Sequence, residues 1–174
     1  MKLHIIGNPG SGKTTLARWA GAFLDVASVD LDLVVYDPTT GLPRSSTSIV
    51  TDIEAIGSKR HCITEGAYHH HQENALLDAL LAPADIIVGL DYPWHICAKR
   101  IIQRHIRLTM ARRNPHPGWL KLVRFLNYTW HSHELNRQST AQRLRRYSRK
   151  TMRCAKDANI AAAQRFIEAA AQDT

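Results

Sequence analysis

Several things are scarce in this sequence, and each scarcity excludes something. There are only three cysteines, Cys62, Cys97 and Cys154, an odd number set far apart among apolar neighbours. That pattern builds no disulfide framework and no paired-cysteine metal cluster, so the thiols are expected to be free and buried in a reducing, cytoplasmic setting. No apolar run approaches the roughly 18 residues of a membrane span, so no membrane partner is expected. The opening MKLHIIGNPG carries a strand-length apolar patch without the longer core and small-residue cleavage site of a secretory leader. Aromatic residues are 7% and hydrophobic residues 44% of the 174, which excludes fibrous and disordered classes and fits a single globular domain, residues 1–174. A monomer and a homodimer are both compatible with this pattern.

Acid is nearly absent from one long stretch. Residues 99–153 hold 15 Lys/Arg and a single acid, Glu134, whereas residues 1–98 hold 6 Lys/Arg and 11 Asp/Glu. A third of the chain therefore carries almost all the positive field. Such a block suits a polyanion, either phosphate groups or a nucleic-acid backbone. The plainer alternative is a solvated helix face.

What is present alternates regularly. KLHII (2–6) reads as a strand, and residues 13–24 as a helix with Leu16, Trp19, Ala20, Phe23 and Leu24 on one face. VASV (26–29) is a second short strand. An irregular connector, 31–46, leads into a helix that ends at Gly57. HCIT (61–64) is a third strand, followed by a short helix in NALLDALL. DIIVGLD (85–91) is the clearest strand, an apolar run closed by an acid, as in a parallel strand buried on both faces. Pro93 opens a long amphipathic helix, NPHPG (114–118) breaks it, and a second helical stretch covers about 119–146. RKTMRCA supplies a last strand and DANIAAAQRFIEAAAQ a closing helix. The alternation predicts an α/β fold of three layers with a parallel sheet of about five strands.

The first strand–helix turn is crowded with small residues. In HIIGNPGSGKTTLARWA, Gly7-x-x-x-x-Gly12-Lys13-Thr14 has the spacing of a phosphate-binding loop, with a strand before and a helix after. Glycines let main-chain N–H groups turn inward toward a phosphate without a Cβ in the way, and the helix N-terminus adds its dipole. Gly7, Asn8, Pro9, Gly10, Ser11, Gly12, Lys13, Thr14 and Thr15 are therefore the candidate nucleotide-binding residues. Lys13 is placed against the β- and γ-phosphates, and the Thr14 hydroxyl in a magnesium shell.

Acids lie where the parallel strands should end, on the ligand-facing edge of an open α/β sheet: Asp30 and Asp32 in SVDLD, Glu65 in ITEGAY and Asp91 in VGLDYP. A carboxylate there can hold magnesium, or orient or deprotonate an acceptor hydroxyl. It can also merely cap a helix or turn. With Thr14, Asp30 and Asp91 are the candidate magnesium ligands.

Together, GNPGSGKTTLAR, VDLD, ITEGAY and LDYPWHICAKRIIQRHIR resemble the small P-loop kinases of the adenylate kinase-like group. The likeness is greatest to the DNA topology modulation proteins, and the set is also similar to shikimate and gluconate kinases. It covers roughly residues 1–113 and weakens beyond. It implies a P-loop NTPase fold that uses ATP and Mg²⁺ to phosphorylate a small acceptor, with an arginine-rich helical lid at about 100–146. It places Asp32 in the acceptor site and Glu65-Gly66, with Tyr68, beside it, although Asp is commoner than Glu at the first of that pair. Arg100 and Arg104 match the arginines that stabilise the transferred phosphoryl group, with Lys13 and Asp32 completing the catalytic set. Arg107, Arg112 and Arg113 would lie on the lid. A planar guanidinium holds two phosphate oxygens at once, which is the electrostatic work phosphoryl transfer requires. No NKxD-like guanine motif or switch-type glutamine points to a large GTPase.

Beyond residue 119 the chain departs from a minimal kinase of this kind. Trp119, Tyr128 and Trp130 interleave with Lys121, Arg124 and Arg137. They read either as core residues of an amphipathic helix, the favoured reading, or as stacking platforms for single-stranded nucleic acid. The acceptor is accordingly a nucleoside, nucleotide or similar metabolite, and the alternative is a nucleic-acid-associated ATP-binding protein. His69, His70 and His71 are adjacent in sequence and seldom converge on one metal, and His131-x-His133 points its rings to different faces.

Overall fold

The computed structural model describes residues 1–66, 74–155 and 159–172. Five parallel strands form one sheet in the order β2-β3-β1-β4-β5. They are β1 (Lys2–Gly7), β2 (Ser28–Asp30), β3 (Cys62–Glu65), β4 (Ile86–Leu90) and β5 (Thr151–Cys154). β1 and β4 are nearly continuous apolar runs and occupy central places, buried on both faces. Seven α-helices are described: α1 (Lys13–Leu24), α2 (Leu31–Val35), α3 (Ser46–Gly57), α4 (Asn74–Leu81), α5 (Trp94–Met110), α6 (Trp119–Arg145) and α7 (Asn159–Gln172).

Strand alternation divides the core in two. Leu3, Ile5, Ile63, Val88 and Leu90 face Leu16, Ala17 and Ala20 of α1, Cys97 of α5, and Ala163 and Ile167 of α7. On the opposite face Ile6, Cys62 and Ile87 meet α2, α3 and α4, with Leu144 from the end of α6. The result is the expected three-layer α/β architecture. His4 shares this second face, fully buried, with Nδ1 2.7 Å from Thr64 Oγ1. Burial, aided by the charges of Arg143 and Lys13, pushes its pKa down to about 3, so it is a neutral core histidine.

The sequence reading and the structure part in two places. β2 starts at Ser28 and not at Val26, because Val26 is spent ending α1: Asp25 adopts a left-handed conformation (φ 52°) and the Val26 N–H donates to the Gly21 carbonyl. The connector 31–46 contains a short helix, α2, because Asp30 caps it, accepting from the Asp32 N–H at 3.0 Å. The cysteines are free and buried. Among the described residues, no helix is long and apolar enough to cross a membrane.

Candidate active site

The carboxyl ends of the strands converge on the loop between β1 and α1. Register places Ile5 beside Glu65, Gly7 beside Leu90 and Asp30 beside Glu65, so the acids of β2 and β3 stand next to the loop. Gly10 (φ 79°) and Gly12 (φ 101°) have the left-handed backbone that the turn demands. At Gly10 a Cβ would also lie 2.5 Å from the Cys97 carbonyl oxygen, so α5 can pack on the loop only over a glycine. The Ser11 N–H donates to the Asn8 carbonyl at 3.1 Å, which closes the loop. α1 begins without a side-chain cap and without an acid in its first turn, so its N-terminal donors face the loop uncontested.

Lys13 lies in this cradle, half-buried, and its Nζ donates to the Asn8 carbonyl at 3.3 Å. Burial draws its pKa below the ordinary lysine value, while the charges of Glu65, Asp32 and Asp30 act in the other direction. Glu65 is buried (3% exposed), and the neighbouring Thr14 side chain acts to lower its carboxyl pKa. Burial, reinforced by Asp30 and Asp32, nevertheless holds its carboxyl above the usual carboxylate range. Asp32 is exposed, yet desolvation with the neighbouring Asp30 charge raises it too. Gly66 follows with φ 151°, and a Cβ there would meet the Leu31 Cβ at 2.9 Å, which seats the chain leaving β3 against α2. Lys13, Thr14, Asp30, Asp32 and Glu65 thus form one electrostatic group.

Asp91 does not join it. Its carboxylate is gripped by Arg137, whose Nε donates at 2.6 Å, and by the Nε and Nη2 of Arg153. Burial alone would raise Asp91, but these hydrogen bonds prevail and hold it below the usual carboxylate range. Asp91, expected as a magnesium ligand, is placed apart from Thr14 and Asp30 with two guanidinium groups on its oxygens. The acid placed beside Thr14 is Glu65, which sequence reasoning had assigned only to the acceptor. The two meet through the parallel pairing of β1 with β3, which apolar runs alone do not announce.

Of the arginines, Arg100 reaches the loop, with Nη1 donating to the Ser11 carbonyl at 2.8 Å and its guanidinium 4.5 Å over the Tyr92 ring. Arg104 and Arg107 are exposed on α5, and Arg112 and Arg113 on the turn that ends it. Arg112 takes a left-handed conformation (φ 53°) and the Arg113 N–H returns to the Leu108 carbonyl. α6 crosses above the loop: Asn8 Nδ2 donates to the His133 carbonyl at 3.2 Å, and His133 Nε2 to the Tyr92 carbonyl at 3.1 Å. His133 is a buried clamp, below its ordinary pKa because of that burial. The favoured reading of the aromatics as core side chains is also corrected: Trp119, Tyr128 and Trp130 are 65, 63 and 58% exposed, because the buried face of α6 is formed by Leu122, Thr129, His133 and Leu144. Tyr68 and His69, His70 and His71 lie outside the described residues.

The topology and this loop define the fold of the small P-loop kinases. Two solved structures match it along most of their length: a gluconokinase from Sinorhizobium meliloti 1021 (16% identity, TM-score 0.53, 97% of this chain and 90% of that one) and a shikimate kinase from Acinetobacter baumannii in complex with shikimate (16% identity, TM-score 0.53, 99% and 94%). The similarity to shikimate and gluconate kinases read in the sequence is thus present in the fold. No protein-family model and no curated protein sequence matches the chain.

Proposed function

We propose that the chain is an ATP-dependent phosphotransferase that moves the γ-phosphate of ATP to a small acceptor, a nucleoside, nucleotide or similar hydroxylated metabolite. The observation that carries this reading is the joining of Lys13, on an uncapped helix N-terminus in a glycine loop, to the acids Glu65 and Asp32 at the same sheet edge. The loop amides and Lys13 hold the β- and γ-phosphates, Arg100 and Arg104 offset charge that develops on the transferred group, and Asp32 orients the acceptor hydroxyl and receives its proton. Asp32 suits that part because desolvation and Asp30 raise its proton affinity. Asp30 shapes the site by capping α2 and by pressing its charge on Asp32 and Glu65.

Among the described residues no group of three or more His, Cys, Asp or Glu could hold a metal ion. Magnesium would instead arrive with the nucleotide and meet Thr14 and Glu65, neutralising β- and γ-phosphate oxygens. Asp32→Asn is expected to keep nucleotide affinity within about twofold while lowering turnover by roughly 10² or more, the usual loss of a general base. Calorimetry and an ATP-consumption screen over nucleosides, nucleotides and hydroxy acids check both halves. Retained turnover would remove Asp32 from the acceptor role.

One observation favours a second reading, a nucleic-acid-associated ATPase: the exposure of Trp119, Tyr128 and Trp130 on the helix that also carries Lys121 and Arg124. ATP turnover that rises only with single-stranded oligonucleotide would select it over the small-acceptor kinase.

A further inference from the structure

Between α6 and the ends of β4 and β5 the fold leaves a half-open cavity of about 250 Å³. It lies on the sheet face opposite α1, and Asp30, Asp32 and Glu65 do not line it. Its floor is apolar where Ala141 and Leu144 line it. Gly89 lets Leu144 pack close on the sheet there, since a Cβ would meet Leu144 Cδ1 at 2.9 Å. Its mouth carries three guanidinium groups against two carboxylates. Arg137 and Arg153 share Asp91, Arg137 also donates to Glu134 at 2.9 Å, and Arg145 is exposed with no ion pair among the described residues.

At the inner end stands Asn8. Its side chain is buried (6% exposed), and the Nδ2 bond to the His133 carbonyl fixes which way the amide faces. Oδ1 is then a buried acceptor with no hydrogen-bond partner, on a residue that lines the cavity. Buried acceptors of this kind are nearly always satisfied, so an unsatisfied one beside a cavity calls for a donor from within it.

We propose that this cavity binds a small hydroxylated anion, a carboxylate or a phosphate, whose hydroxyl donates to Asn8 Oδ1 while its charged end faces Arg145 and the Arg137–Arg153 pair. The apolar floor admits a short carbon skeleton between those two ends. Asn8 belongs to the phosphate loop, and its carbonyl receives Lys13 Nζ, so ligand and nucleotide act on the same loop and each changes the other's affinity by the same factor. This site is separate from the acid cluster and does not depend on phosphoryl transfer taking place.

The test is direct binding to the full, nucleotide-free chain, read by calorimetry or ligand-observed NMR. The probes are gluconate and glycerol 3-phosphate, with hexanoate lacking hydroxyls and glucitol lacking charge. At least one hydroxylated anion is expected to bind about tenfold or more tighter than both controls, a difference worth one hydrogen bond or one charge contact. Binding of gluconate alone would name a carboxylate ligand, and of glycerol 3-phosphate alone a phosphate. Ala141→Phe, which fills the cavity, and Arg145→Gln, a surface change that leaves folding intact, should each weaken binding about tenfold, while Asp32→Asn leaves it unchanged. No binding at millimolar probe, equal binding by the controls, or binding that survives both cavity variants or is lost in Asp32→Asn would overturn the proposal.

Discussion

Glu65 and Asp32 carry carboxyls whose surroundings oppose ionisation, by burial first and by neighbouring acids second. A raised carboxyl pKa in the folded state favours folding below the unfolded value of about 4.3 and loses that contribution as pH climbs through the folded value. As pH rises through the Glu65 titration, its buried charge therefore works against the fold. Glu65→Gln, which keeps the shape and an acceptor oxygen, is expected to raise Tm at pH 7 by roughly 2–4 °C, about 1 kcal/mol for a chain of this size. The gain should shrink as pH falls through the Glu65 titration, because the protonated acid then resembles the amide. Thermal scans across pH check both the sign and the trend. An equal Tm at every pH would mean that Glu65 is not desolvated. The acids at the strand ends were legible as candidates, but their partners were not. Nothing near Asp91 in sequence announces that Arg137, on a helix far along the chain, and Arg153, on β5, return to bind it. Thr14 and Glu65 likewise meet only through the pairing of β1 with β3.

Elements were more legible than contacts. Apolar runs gave β1, β3 and β4 to within a residue, because a strand buried on both faces leaves little else in its sequence. The break at 114–118 and the long helix after it follow from Pro115, Pro117 and Gly118, which cannot continue α5. The exposure of the α6 aromatics was not legible. Periodicity shows which residues share a face, but not which face the rest of the molecule covers. How α5 sits on the loop is also a tertiary matter, resting on Gly10 against Cys97 and on Arg100 against Ser11. Gly10→Ala meets both a left-handed φ and a carbonyl at 2.5 Å. It is expected to lower nucleotide affinity by about tenfold or more and Tm by several degrees, since such strain costs roughly 1–3 kcal/mol. Unchanged nucleotide affinity in a folded variant would show that the loop does not need the α5 contact.

At the scale of the molecule, charge is divided along the chain, with net acid in residues 1–98 and all but one of the charges in 99–153 positive. In the folded chain this puts acids at the β2–β3 edge and exposed arginines on α5 and the turn beyond it. A kinase acting on a small acceptor uses that field locally. KM for ATP should then rise only a few-fold between 50 and 200 mM salt, whereas oligonucleotide binding through six or more phosphate contacts would fall by about 10³ or more. Parallel titrations at two salt concentrations separate the two uses of the basic third.

The proposed phosphoryl transfer depends on the loop of residues 7–15 holding a triphosphate. The most direct measurement is calorimetric titration of the whole chain with magnesium and ATP, set beside Lys13→Ala. The account predicts saturable one-site binding in the natural chain, weakened by about tenfold or more without the lysine, as expected when a charge-assisted contact is removed. Absence of heat at millimolar ATP and GTP, or equal affinity in the two proteins, would contradict it.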